Sequence, residues 1–355
     1  MTLRKSATAF VLLLLGTTAL AAQEGPGLSP EARAARQAAV AKQLALEATT
    51  PRLQVTEEIL PLHIPDHTIG ETEGVSMNSK GHLFVYSRTG KGGSARGGTA
   101  AELFEFDQNL KFVKLWGPDN YAASFAHSVR VDRYDNVWMV DEGSGMIVKF
   151  DPAGTVKMTL GRKTEAIDYL QTYLERGNKV TDIHPNGAMG TFNRPTDIAW
   201  DPQDNMYVSD GYGNSRVVKI SHDGVWLKAV GSYGGGPDQF NTPHSIATDA
   251  VGNVYVADRG NNRIQVYDYD LNFKKSFTGM GAPWSVQVTP KYIYSGDGTG
   301  KIDRLDHDGK LLGWAQTGLG QGQTGCLIHE LHAVSDNVLI KGACSEWTVE
   351  KITFK

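Results

Sequence analysis

Apolar and polar residues alternate over short runs along most of the chain, and Gly, Asn and Asp punctuate the runs. One stretch shows the unit plainly. Between Asn241 and Tyr267 the pattern predicts a strand at Ser245–Thr248, a tight turn at Gly252-Asn253 and a second strand at Val254–Ala257. A Gly/Asn loop and a third strand at Arg263–Tyr267 complete it. Related patterns begin at Glu73-Gly-Val75, His127-Ser-Val129, Thr196-Asp-Ile198, Trp284-Ser-Val286 and His329-Glu-Leu331, which makes six copies with the opening one at His244. Short strands repeating about every 40–50 residues are the signature of a β-propeller. The expected fold is therefore all-β, a six-bladed propeller of four-stranded blades.

The remaining segments have other patterns. Ser29 is a good helix N-cap and Pro30 suits the first turn, so an Ala-rich helix is expected from about Ser29 to Ala48, as an arm on the outside. The last copy runs out at Lys355 one strand short, and Ile59–Ile64 is expected to supply the missing outer strand, where Pro61 is tolerated at an edge. Two inserts interrupt the repeats: a Gly/Ser-rich one at Gly90–Thr99, and residues 161–193, with a short helix expected at Thr164–Arg176. Residues 1–22 have the basic start (Arg4, Lys5), apolar centre and Ala19-Leu-Ala21 ending of a cleaved secretory signal. The expected organisation is a signal at 1–22, a helical arm and linker at 23–58, and the propeller at 59–355. Export to the periplasm or the exterior follows, with no stable membrane span after cleavage.

Composition changes little in this picture. The formal charge of −4 and the lack of a long basic run argue against nucleic acid as a partner. The expected partner is a small-molecule or peptide substrate, and a monomer is expected. Only two cysteines occur, Cys326 and Cys344; in an oxidising compartment a bridge between them is plausible, and it would pin His329 between its anchors.

The candidate chemistry lies in how the copies differ. In a propeller the first strand of each blade is innermost, so its first residue faces the mouth of the central channel, and the second strand returns to that face at larger radius. The inner positions are Glu73, His127, Thr196, His244, Trp284 and His329; the outer set includes Arg88, Asp141, Tyr212, Arg259, Asp297 and Cys344. Three of the chain's ten histidines thus occupy alternate blades and point at one spot. A three-histidine set with an open fourth position is the arrangement of a catalytic zinc. Near a dication and arginines the Tyr212 phenol is expected to have a lowered pKa and to act as a general base. Arg88 and Arg259 are suited to a substrate carboxylate or to developing negative charge.

The NHL-type runs Pro195-Thr-Asp-Ile with Val208-Ser-Asp-Gly-Tyr-Gly-Asn-Ser-Arg216, and Pro243-His-Ser-Ile with Val256-Ala-Asp-Arg-Gly-Asn-Asn-Arg-Ile-Gln265, resemble the peptidyl-α-hydroxyglycine α-amidating lyase family. The resemblance spans roughly residues 70–350 and implies a six-bladed NHL propeller with zinc on His127, His244 and His329. It also implies Tyr212 as the catalytic tyrosine, Arg88 and Arg259 as the active-site arginines, and a structural calcium held through Val75, Val129 and Glu330. The implied reaction cleaves the C–N bond of an N-(α-hydroxyalkyl) amide to give an amide and glyoxylate. The chain departs from the family pattern at Leu327, Gly213 and Glu330, where the family has Met, Cys and Asp. Two other readings stand beside this one. A calcium-dependent lactonase-type propeller would bind metal through carboxylates and amides, and a non-catalytic NHL binding module of the envelope would use the rim alone.

Overall fold

A computed structural model describes residues 30–89, 101–162, 190–318 and 325–355. The expected signal, the Gly90–Thr99 insert and the helix at Thr164–Arg176 lie outside these residues. Six four-stranded antiparallel sheets form a six-bladed β-propeller, with successive strands running outward from the centre. The fourth blade is Pro243–Thr248, Asn253–Asp258, Arg263–Asp268 and Phe273–Thr278, so the stretch read first in the sequence is one blade without its outer strand.

Local chemistry explains the regularity. Many of the turns between neighbouring strands begin with Asp or Asn, whose Oδ1 accepts the amides two and four residues on. Asp249 does this for Val251 and Asn253, Asp201 for Gln203 and Asn205, and Asp132 for Tyr134 and Asn136. The strand faces then pack blade against blade, giving one apolar cluster per gap. Between blades three and four, for example, Tyr207 and Val217 meet Ile246, Val256 and Tyr267, all with 0–1% exposure. Each such side chain contributes roughly 1.5–3 kcal/mol on burial.

Closure of the ring differs from the sequence expectation in register. The outer strand of blade six is Val55–Ile59, paired antiparallel with Thr348–Phe354, and not Ile59–Ile64. Val55-Thr-Glu-Glu-Ile59 alternates and contains no proline, so it can pair along its whole length, whereas Pro61 and Pro65 punctuate the segment after it. Leu60 and Ile64 serve instead in the apolar cluster between blades six and one. The helix Pro30–Thr49 docks on blade five: Glu47 pairs with the buried Lys301, and its carbonyl accepts the Trp314 indole at 3.3 Å.

The inner strands are stapled to one another by side chains. The residue after the inner position accepts an amide from the next blade in four of the six blades: Asp197 Oδ2 from Ile246, Ser245 Oγ from Val286, Ser285 Oγ from Leu331 and Glu330 Oε2 from Val75. Blade one has Gly74 at this position. A Cβ there would meet the Val129 nitrogen at 2.5 Å, so glycine is required by close approach, and no side chain is left to take that amide. Glu330 Oε2 reaches across to it instead, at 3.4 Å.

Candidate functional site

The inner strands bring His127, His244 and His329 together, with one ring nitrogen of each within 4.8 Å of the other two. Ring centroids are 4.6–4.9 Å apart, and exposure is 1–4%. Each imidazole is oriented by the neighbouring blade. His127 Nδ1 meets the Thr196 carbonyl at 2.6 Å, His244 Nδ1 that of Trp284 at 2.7 Å, and His329 Nδ1 that of Glu73 at 2.8 Å. A carbonyl only accepts, so Nδ1 carries the proton in all three, and Nε2 is the atom turned to the common centre. The three acceptors are the inner residues of blades one, three and five. The alternation of histidine with another residue is therefore a hydrogen-bonding unit repeated three times around the axis.

Burial first, and then neighbouring positive groups, hold His127 and His244 well below the ordinary imidazole value, so both rings are neutral. His127 Nε2 is buried without a hydrogen-bond partner, and His244 Nε2 lies 3.0 Å from the Tyr212 hydroxyl. Three imidazoles, each with its Nδ1 fixed on a carbonyl and one with an orphaned Nε2 lone pair, fit a zinc ion.

Tyr212 leaves the second strand of blade three on a Gly-flanked loop. Its ring lies between two guanidiniums, Arg194 at 4.5 Å and Arg259 at 5.2 Å, and Arg259 also donates to the hydroxyl at 3.3 Å. The structure changes the sequence expectation for its acidity. The phenol pKa is raised, not lowered: burial has the largest effect and Glu142 adds to it, outweighing the pull of Arg259, Arg88 and Arg194.

The two arginines singled out in the sequence have different surroundings. Arg259 stacks on Trp284 at 4.5 Å, and no carboxylate pairs with it among the described residues. Arg88 lies over Phe125, donates to the Ala126 carbonyl, and faces Glu73 at 3.0 Å, Glu71 at 3.5 Å and Glu142 at 3.7 Å. Glu73 is fully buried. Burial alone would raise its pKa, but Arg88 and His329 outweigh that and bring it below the ordinary value; its Oε2 lies 2.9 Å from His329 Nε2.

Sequence reasoning passed over Glu142 and Arg194, which pair with each other beside Tyr212. A signal existed: Glu142 follows Asp141 exactly as Arg259 follows Asp258 in blade four. The aspartates themselves hold loops. Asp141 accepts the amides of Ser124 and Phe125 and the Tyr86 hydroxyl, and Asp297 accepts from Thr299. Cys326 and Cys344 are bridged, with Cα atoms 5.5 Å apart, and Glu73 lies beside them.

Val75, Val129 and Glu330 also meet, further along the inner strands, but they do not fit calcium. Both oxygens of Glu330 already face N–H donors: the amides of Val75 and Val129 at Oε2, and the Arg130 guanidinium 2.8 Å from Oε1. A hard cation needs several oxygens at its surface, and here it would sit against a guanidinium.

Comparison with known proteins fits this architecture. The NHL repeat family model matches residues 240–267. NHL repeat-containing protein 3 of Homo sapiens is 31% identical over 261 residues, which is 67% of this chain and 67% of that protein. The chain belongs to the NHL repeat family. This NHL propeller is also 27% identical over 180 residues to a probable peptidyl-alpha-hydroxyglycine alpha-amidating lyase of Caenorhabditis elegans, covering 47% of the chain and 46% of that protein. The chain thus spans about half the length of that relative. Among solved structures, a streptogramin B lyase matches 85% of this chain and 98% of its own with TM-score 0.54 at 14% identity, which shows the shared propeller fold.

Proposed function

We propose that this NHL propeller is a zinc-dependent carbon–nitrogen lyase that cleaves an N-(α-hydroxyalkyl) amide bearing a carboxylate. The observation that carries this reading is the convergence of three carbonyl-oriented imidazoles on a point beside the Tyr212 hydroxyl and the Arg259 guanidinium. Distant similarity to amidating lyases supports the reaction class.

His127, His244 and His329 would hold the zinc, leaving a position open toward the mouth. Zinc bound there supplies a Lewis acid for a substrate oxygen and positive charge beside the phenol. Arg259, free of carboxylate partners among the described residues and lying over Trp284, takes the substrate carboxylate. Arg88, already surrounded by Glu71, Glu73 and Glu142, forms the charged back wall. As a phenolate, Tyr212 accepts the hydroxyl proton; the O–H electron pair becomes the carbonyl bond, and the C–N pair leaves with nitrogen. Tyr212 then returns the proton to that nitrogen, so amide and glyoxylate form in equal amounts. Burial opposes the phenolate, and three guanidiniums favour it.

The Cys326–Cys344 bridge supports export into an oxidising compartment. No helix among the described residues is long and apolar enough to cross a membrane. Incubating zinc-loaded protein with an N-acyl-α-hydroxyglycine tests the lyase reading: glyoxylate should appear, and Arg259→Ala should weaken it. Release no greater than from His244→Ala would leave the second reading, a binding module. That reading is favoured by the similarity to NHL repeat-containing protein 3, whose name states no activity.

A further inference from the structure

The channel beyond the histidines contains a charge cluster that the lyase chemistry does not use. Arg130, Asp197 and Glu330 are 7%, 1% and 3% exposed and line the same central space as the three histidines. Every nitrogen of the Arg130 guanidinium has a partner. Its Nε meets Asp197 Oδ1 at 2.8 Å, one terminal nitrogen lies 2.6 Å from Asp197 Oδ2 and 2.8 Å from Glu330 Oε1, and the other donates to the Leu331 carbonyl at 3.0 Å. It thereby joins blade two to blades three and six.

Both carboxylates are there for a structural reason. Asp197 accepts the Ile246 amide and the Ser245 hydroxyl, and Glu330 covers the amides of Val75 and Val129, the second because Gly74 has no side chain to do so. Two buried carboxylates on one axis repel each other unless a cation lies between them. We infer that Arg130 is the resident cation of this channel, standing where the resemblance implies a calcium ion, and that the propeller closes around its guanidinium without calcium. A guanidinium suits the place because its planar fork meets Asp197 on two bonds and still reaches Glu330 and a carbonyl. Removing it leaves two facing carboxylates in the channel, which is the beginning of a calcium site.

The test compares thermal unfolding with and without millimolar calcium chloride. Protein is first stripped with EGTA and reloaded with zinc, so that the three-histidine site is the same in both arms. Wild type should bind no calcium by elemental analysis and keep one melting temperature. Arg130→Ser should melt lower without calcium and recover by roughly 5 °C or more with it. Arg130→Lys, which keeps the charge, should stay indifferent to calcium. Stoichiometric calcium in wild type, or a wild-type melting temperature raised by calcium, overturns the inference. So does an Arg130→Ser protein as stable as wild type and indifferent to calcium. If Arg130→Ser fails to fold in either condition, wild type and Arg130→Lys decide the matter. None of these outcomes depends on lyase activity.

Discussion

His127 donates through Nδ1 to the carbonyl of Thr196, 2.6 Å away in the next blade, and its Nε2 is left buried without a hydrogen-bond partner. The same bond recurs from His244 to Trp284 and from His329 to Glu73. Backbone acceptors thus orient all three rings, and the propeller's own geometry gathers three Nε2 atoms on its axis. A buried polar atom left unpaired costs about 1–3 kcal/mol, and a ligand at the centre recovers that cost.

Tyr212→Phe removes only a hydroxyl, from a ring held by Arg194 and Arg259. Turnover should fall by roughly 10²–10⁴-fold, as expected for loss of a general acid–base, while zinc content stays unchanged. Steady-state kinetics beside metal analysis checks this. A variant with near wild-type kcat would remove Tyr212 from the chemistry.

The two arginines should separate. Arg259→Ala takes away the guanidinium without carboxylate partners among the described residues and should raise KM by about tenfold or more, with little loss of stability. Arg88→Ala instead takes the guanidinium from Glu73, which is 0% exposed, and should destabilise the fold by roughly 3–5 kcal/mol. Urea unfolding of the pair reads the difference; equal stability losses would contradict the assignment.

The Cys326–Cys344 bridge links the segment before His329 to the end of the second strand of blade six, with sequence separation 18. Replacing both cysteines with serine should cost about 3 kcal/mol by loop entropy. Zinc affinity should weaken along with it, because His329 is then anchored less firmly. Unfolding curves and zinc titration of the double variant test the two effects separately.

Acid sensitivity has an identifiable source in His332. Burial, with a smaller contribution from Arg130, lowers its pKa from the ordinary 6.5 to about 3, so it is neutral in the fold. Between about pH 6.5 and 3 the unfolded chain binds this proton and the folded chain does not, so this contribution to stability is present at neutral pH and is lost as pH falls through that window. At pH 5 the loss should reach about 2 kcal/mol. His332→Gln should flatten the drop in unfolding free energy between pH 7 and 5. A variant with the wild-type slope would place the sensitivity elsewhere.

The repeats were readable because each blade carries its own turn chemistry and alternation, and the copies could be aligned on one another. That alignment placed His127, His244 and His329 on alternate blades, which the structure then brings together. The charged shell was harder to read. Glu142 and Arg194 come from different blades, and Arg88 of blade one faces Glu142 of blade two, contacts that no single repeat encodes. The rise in the Tyr212 pKa depends on how burial balances against those charges. Nothing in the repeat pattern marks Arg130; only its contacts with Asp197 and Glu330 show what it neutralises. The outer strand of blade six was misplaced by a few residues because Val55–Ile59 and the segment after it are both partly apolar, and pairing with Thr348–Phe354 decides between them.

The central claim is that three imidazoles on alternate blades form one zinc site, and elemental analysis of purified wild-type and His244→Ala protein tests it most directly. The account predicts about one zinc per wild-type chain and little or none in the variant. Wild type without zinc, or a variant retaining it in full, would contradict it.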